Sequence, residues 1–271
     1  MERDLAEVKK ELLILAEKFN RFCVENNIKY SVHGGTMLGA VREKGFISWD
    51  DDIDITFLRS EYIAFEEAIK KKPIEGTVLS LTGLYPRLIM KRESHPVVWI
   101  DIFIYDYITE NPIFRKYKMA RLKIFNLLFR DPETLEFTKE NSGSNKLRYN
   151  IISAIVRYGS KADKKKLLKK ANKVMTSFPG EKKSLCRTND TVVGMPKLVP
   201  GDAMDRYEMI PFEGIELMIS SDWDKILTSS YGNDYMTPRK TTVDQQHNAF
   251  ISKEVRNAEI EFDKQTVGIQ Q

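Results

Sequence analysis

The stretch from Gly34 to Asp54 restricts this chain more than any other. It opens on a small-residue turn, Gly34-Gly35-Thr36, that runs into a helix-like apolar segment of Met37, Leu38, Ala40 and Val41. It closes on Asp50-Asp51-Asp52-Ile53-Asp54, an acidic run entering an apolar strand at Ile53, Ile55 and Phe57. Side chains alternate along a strand, so Asp52 and Asp54 point to one face while Ile53 and Ile55 enter a core. Carboxylates this close repel one another and raise each other's pKa unless a cation neutralises them. Oxygen ligands at a strand end suit a hard cation such as Mg²⁺, which takes one or two carboxylates and completes its shell with water and phosphate.

Three plainer readings compete. A solvated acidic turn is the general alternative; the apolar flanks and the glycines upstream weigh against it. In an EF-hand loop Asp50, Asp52 and Asp54 would fall at the first, third and fifth positions and Glu61 at the twelfth, but Ile55 occupies the place of the required glycine. A Walker loop fails because Ala40 and Val41 stand where Lys and Ser or Thr are needed.

Taken together, Gly34-Gly35-Thr36, Leu38-Gly39-Ala40-Val41-Arg42, Lys44-Gly45-Phe46-Ile47 and Trp49-Asp50-Asp51-Asp52-Ile53-Asp54 closely resemble the signature of the LicD/fukutin family. Glu43 departs from a frequent His and Ser48 from a frequent Pro, which bears on fine specificity. The resemblance implies an α/β (α+β) fold: a nucleotidyltransferase-like mixed sheet flanked by helices, with a helical insertion.

Before this stretch, Leu5, Val8, Leu12, Leu15, Phe19 and Phe22 recur at helical steps, predicting one helix from Asp4 to about Asn26, laid across the sheet. Ile28 to Val32 alternates as a short strand and delivers His33, a structural residue or a site-facing one, and the glycines. Glycine allows close approach of backbone to ligand, and the start of the following helix suits a phosphate, with Thr36 as a further donor. Arg42 and Lys44 are candidates to neutralise a diphosphate, or to pair with the neighbouring aspartates.

A helix is expected over Ser60 to Lys72, then strands at Val78–Leu81, Arg87–Arg92 and Val97–Ile104. The last contains Asp101 within Trp99-Ile100-Asp101-Ile102-Phe103, where an unpaired carboxylate is costly to bury. A metal shared with Asp52 and Asp54 would supply its partner, and the resemblance agrees, since these proteins carry a third acidic residue in an Asp-Ile-Phe on a later strand. Asp106, in a turn-like setting, reads as structural. Lys91 is a candidate phosphate contact or a snorkelling surface lysine.

Residues 1–110 are thus expected to form the core with its N-terminal helix, 111–180 the helical insertion and 181–271 the strands and helix that complete the core. The insertion shows helical periodicity over Phe114–Phe129 and Asp163–Phe178, with a polar loop at Asn141–Asn145 between. Its basic and apolar residues (Arg115, Lys116, Lys118, Arg121 and Lys123, then Lys164 to Lys170) suit a membrane surface or an acceptor site; a solvated helical subdomain is the plain alternative. Beyond it come a hairpin over Tyr207–Ile219 and a helix from Asp222 to about Tyr231. Tyr231-Gly232-Asn233-Asp234-Tyr235-Met236 resembles a family motif with one inserted residue and closes the fold over the sheet; Gln245-Gln246-His247 lies within conceivable reach of the site.

With no apolar run long enough to span a bilayer, no signal-peptide pattern in the charged N-terminal helix and only Cys23 and Cys186, the expected location is cytoplasmic, at most touching the inner face of the membrane. A net charge of +4 does not argue for nucleic acid. The resemblance implies Mg²⁺- or Mn²⁺-dependent transfer of phosphocholine from CDP-choline, or a related CDP-linked donor, to a sugar hydroxyl of a cell-surface glycan such as teichoic acid or lipopolysaccharide, or its lipid-linked precursor, releasing CMP. Ribitol- or glycerol-phosphate transfer, nucleotidyl transfer to a small molecule and a calcium- or polyanion-binding module are the rival readings. Trp49, Tyr85, Trp99, Tyr105 and Tyr107 are the aromatics available to hold a quaternary ammonium.

Overall fold

A computed structural model describes residues 5–92, 95–132, 135, 146–238, 258 and 262. Helix α1 (Leu5–Glu25) leads into strand β1 (Ser31–Val32), helix α2 (Gly34–Glu43), strand β2 (Ile53–Leu58) and helix α3 (Arg59–Lys71). Strands β3 (Thr77–Ser80), β4 (Arg87–Arg92) and β5 (His95–Tyr107) follow, then helices α4 (Pro112–Phe129), α5 (Lys146–Lys161) and α6 (Lys164–Met175). Strands β6 (Ser184–Arg187), β7 (Val199–Pro200), β8 (Tyr207–Phe212) and β9 (Ile215–Ser220) precede helix α7 (Trp223–Tyr231). The expected mixed α/β architecture is what the chain adopts. The 141–145 loop and Gln245–His247 lie outside the described residues.

The main sheet runs β1-β2-β5-β4-β3, with β6 on β5 and β7 on β6. Among the described residues only β2 and β5 pair in parallel; the other neighbours in this sheet are antiparallel. β5 is the axis of the sheet. One edge takes β2, while the other takes β4 up to Asp101 and β6 from Tyr105 onward. Between β4 and β6 the Asn189 side chain stands in for a strand, accepting from Ile104 N–H at 2.8 Å and donating to Ile102 C=O at 3.1 Å.

Alternation along β5 separates core from site. Val98, Ile100, Ile102 and Ile104 join the main core, while Asp101 lies on the opposite face. Over the core face lies α1, burying Val8, Leu12, Leu15, Phe19 and Phe22 as its periodicity predicts; Leu5, in the first turn, is 36% exposed. Phe19 meets Tyr30, Phe65 and Phe57 edge-on at centroid distances of 4.8, 5.6 and 6.1 Å. Burial of such a ring is worth roughly 2–3 kcal/mol by transfer alone. The β8–β9 hairpin docks on β1 through side chains: Met218 N–H donates to Tyr30 Oη at 3.1 Å, and Ser220 N–H to Ser31 Oγ at 3.0 Å.

α4 starts at Asn111, whose side chain accepts from Ile113 and Phe114 N–H, with Pro112 in the first turn; Asp163 caps α6 through Lys166 N–H. α5 was not separately predicted. Its run of Ile151, Ile152, Ile155 and Val156 is rich in β-branched residues, a weak helix signal that packing against α4 overrides. Among the described residues no helix is long and apolar enough to cross a membrane.

Candidate active site

The parallel pairing of β2 with β5 sets Asp54 opposite Asp101. Asp52 stands just before β2. One carboxylate oxygen from each of Asp52, Asp54 and Asp101 lies within 4.8 Å of the others. Asp101 is buried, and the other two are partly so. Asp54 holds its proton well above the usual carboxylate range, first because it is desolvated and then because Asp52, Asp101, Asp50 and Asp190 surround it with negative charge. Three converging hard oxygen donors, destabilised by mutual repulsion, fit a divalent cation of the Mg²⁺ class.

The helix α2 begins against these carboxylates. Gly34 has φ +56°, and a Cβ there would meet Asp54 Oδ2 at 2.6 Å; a Cβ on Gly35 would meet Asp50 Oδ2 at 2.7 Å. The turn is glycine because the carboxylates occupy the space a side chain would need. The positive end of the helix beside them favours their ionised forms. Thr36 is 1% exposed, and its hydroxyl accepts from Asp54 N–H at 2.9 Å, fixing the strand to the helix. His33 N–H donates to Asp54 C=O at 2.9 Å, while its ring is buried near Phe103 and Tyr105. Desolvation, Arg187 and Lys197 hold the imidazole well below its ordinary pKa, so His33 is neutral.

Gly34, Gly35, Thr36, Asp52, Asp54 and Asp101 therefore come together. Arg42, Lys44 and Lys91 stand apart from this group. Arg42 lies about 12 Å along α2 from Gly34 and engages Glu43 at 2.6 Å. Lys44 is exposed and left-handed at the end of α2, at φ 57°. Lys91 lies about 13 Å along β4 from Arg87, the residue paired with Asp101.

Arg87 is one residue that the sequence did not single out. It faces Asp101 across the β4–β5 ladder and donates through Nε to Oδ1 at 2.6 Å and through Nη2 to Oδ2 at 3.4 Å. Tyr85 and Trp99 hold the guanidinium at 5.3 and 4.9 Å from their ring centroids. The signal was available: a cation alternating in register with apolar residues opposite a buried aspartate. Of the other aromatics, Tyr105 carries Arg187 at 5.8 Å, and Tyr107 lies near Lys182 and Asp205.

Tyr231 and Lys197 were also missed as site residues. Tyr231 ends α7, and burial followed by the charges of Asp54 and Asp50 pushes its phenol pKa upward. Lys197 Nζ sits 5.8 Å from the Tyr231 ring centroid and donates to Ser230 C=O at 2.6 Å. Beneath the cluster, Arg187 Nε donates to Asp190 Oδ2 at 2.5 Å in a fully buried pair. Asp106, read as structural, accepts from Arg59 Nε at 2.9 Å and from Nη2 at 2.5 Å.

Residues 27–141, which include all three converging aspartates, match the family model described as LicD/FKTN/FKRP, nucleotidyltransferase domain. The chain is 27% identical over 248 residues to the lipopolysaccharide cholinephosphotransferase LicD of Haemophilus influenzae, an alignment covering 83% of this chain and 88% of that protein. It is 28% identical over 123 residues to an uncharacterised protein of Rickettsia typhi, covering 41% of this chain and 40% of the relative. A second uncharacterised protein, from Rickettsia prowazekii, is 25% identical over 126 residues, covering 41% of this chain and 47% of the relative.

Proposed function

On the premise that this chain is a LicD-family phosphotransferase, we propose that it transfers phosphocholine from CDP-choline to a sugar hydroxyl of a cell-surface glycan or its lipid-linked precursor, releasing CMP. The observation that carries the reading is the convergence of Asp52, Asp54 and Asp101 in front of the Gly34-Gly35 turn. A Mg²⁺ or Mn²⁺ ion held by these three carboxylates would offset the negative charge of the donor phosphates and of the transition state. Gly34, Gly35 and Thr36 would position the donor phosphates at the start of α2, where the backbone N–H groups suit an anion. Arg87 holds Asp101 by both oxygens, and Asp101 would either complete the metal site or take the proton of the attacking hydroxyl. Arg42 and Lys44 would stabilise the leaving nucleotide.

Transfer is direct and in line, with inversion at phosphorus. Both thiols, Cys23 and Cys186, are buried with raised pKa values, so neither supplies a covalent nucleophile.

One observation favours a second reading. Tyr85 and Trp99 are occupied by Arg87, and Tyr105 by Arg187, so these aromatics do not stand open to a quaternary ammonium. The same site would then move ribitol- or glycerol-phosphate. The test is CMP release from CDP-choline, CDP-ribitol and CDP-glycerol with Mg²⁺, by wild type and Asp52→Ala/Asp54→Ala, with and without a crude glycan acceptor. Acceptor-stimulated CMP from CDP-choline alone, lost in the variant, is the expected result. CMP from another donor transfers the mechanism to that substrate. Silence with all three, with Mg²⁺-dependent binding of a nucleoside triphosphate, points to nucleotidyl transfer instead.

A further inference from the structure

Helices α4, α5 and α6 carry fifteen of the chain's 43 Lys and Arg and none of its 39 Asp and Glu, which leaves the remainder net acidic. Large apolar side chains stand exposed among these cations. On α4, Ile113, Tyr117 and Ile124 are 74%, 52% and 47% exposed; on α5, Leu147, Ile151 and Tyr158 are 71%, 53% and 70% exposed. In both helices the three positions step by four and then by seven, which places each set on one stripe. The inward sides are different: Leu122 of α4 and Val156 of α5 are buried. α6 adds a run of exposed lysines, among them Lys165, Lys166, Lys169 and Lys170.

A second copy of so uniformly cationic a face would be repelled by the first. A nucleic acid would satisfy the charges and leave the exposed isoleucine and leucine side chains without an apolar partner. An anionic bilayer interface satisfies both, because headgroups attract the lysines and the acyl boundary accepts the apolar side chains. We propose that α4, α5 and α6 form a peripheral docking surface for an anionic lipid bilayer. This holds whichever group the enzyme transfers.

The test is sedimentation of the purified full chain with vesicles of phosphatidylcholine alone and of phosphatidylcholine mixed with phosphatidylglycerol. The mixed vesicles should bind it, with affinity falling about tenfold or more without the anionic lipid or at about 0.5 M salt. Leu147→Ser/Ile151→Ser, both at exposed positions, should weaken binding about tenfold, as should Lys165→Glu/Lys166→Glu/Lys169→Glu. CMP release with a soluble acceptor should be unchanged in the serine variant. Absence of vesicle binding, or binding indifferent to the serine variant, overturns the proposal. Tight binding of duplex DNA in place of vesicles overturns it in favour of a polyanion site. Vesicle binding needs no donor, so its failure is separable from failure of the phosphocholine reading.

Discussion

Arg87 lies opposite Asp101 on the neighbouring antiparallel strand and grips its carboxylate while Tyr85 and Trp99 flank the guanidinium. A planar, doubly donating, stacked cation cannot be replaced by a point charge. Arg87→Ala should lower kcat/KM about 10²- to 10³-fold, and Arg87→Lys should recover only part of that loss. Steady-state CMP release with each variant, alongside circular dichroism to verify folding, checks this.

Asp54 is a carboxyl whose folded-state pKa is raised above its ordinary value of 3.8. The folded state therefore binds the proton more tightly than the unfolded chain. Its contribution favours folding at low pH and is lost as pH rises from the ordinary value through the raised one. Thermal unfolding in EDTA should show Tm falling across that window. The slope should flatten in Asp54→Asn and in wild type with saturating Mg²⁺. A pH-independent Tm difference between wild type and Asp54→Asn would contradict the assignment.

Asp54→Asn should also separate stability from activity. Removing one charge from a mutually repelling group should raise the metal-free Tm, while turnover falls about 10³-fold or more. Differential scanning fluorimetry and the CMP assay, run on one preparation, would show both effects. A loss of both would mean that the carboxylate holds the fold together instead.

Gly34→Ala places a methyl 2.6 Å from Asp54 Oδ2 at a left-handed position. It should cost about 1–3 kcal/mol of stability and weaken binding of Mn²⁺ as well as activity. Gly214→Ala is the matched comparison: φ is +85°, yet nothing lies within 4 Å of the added Cβ. It should destabilise the fold through backbone strain and leave Mn²⁺ affinity, measured by calorimetry, unchanged.

Tyr231→Ala should raise the KM for the donor about tenfold with a smaller change in kcat, because it removes a ring whose phenol feels the charges of Asp54 and Asp50. Tyr231→Phe retains the ring and should remain near wild type. Equal loss in both would assign the role to the phenolic hydroxyl.

The convergence at the candidate site was legible because its residues are local. Gly34-Gly35-Thr36 and Asp52-Ile53-Asp54 lie within one short stretch, and Asp101 was conspicuous as a carboxylate in an apolar strand. Arg87 was harder to see because its significance depends on strand register, which fixes the residue opposite it. Tyr231 and Lys197 are brought to the site by tertiary packing late in the chain, which no local spacing encodes. The elements themselves followed periodicity closely, except α5, where β-branched residues masked a helix that its neighbours hold.

The run Arg187-Thr188-Asn189-Asp190 looks on a hydropathy scale like a stretch that could be rewritten freely. Every one of the four is buried: Arg187 reaches Asp190, Tyr105 and the Gly194 carbonyl, Thr188 bonds Asp106, and Asn189 completes the edge of β5. Polar side chains committed in this way have few acceptable substitutes, since each replacement strands a partner away from water. In a saturation mutagenesis library this tetrapeptide should therefore be among the least variable segments, and harmful variants there would be misread as surface changes by anyone scoring them on polarity alone.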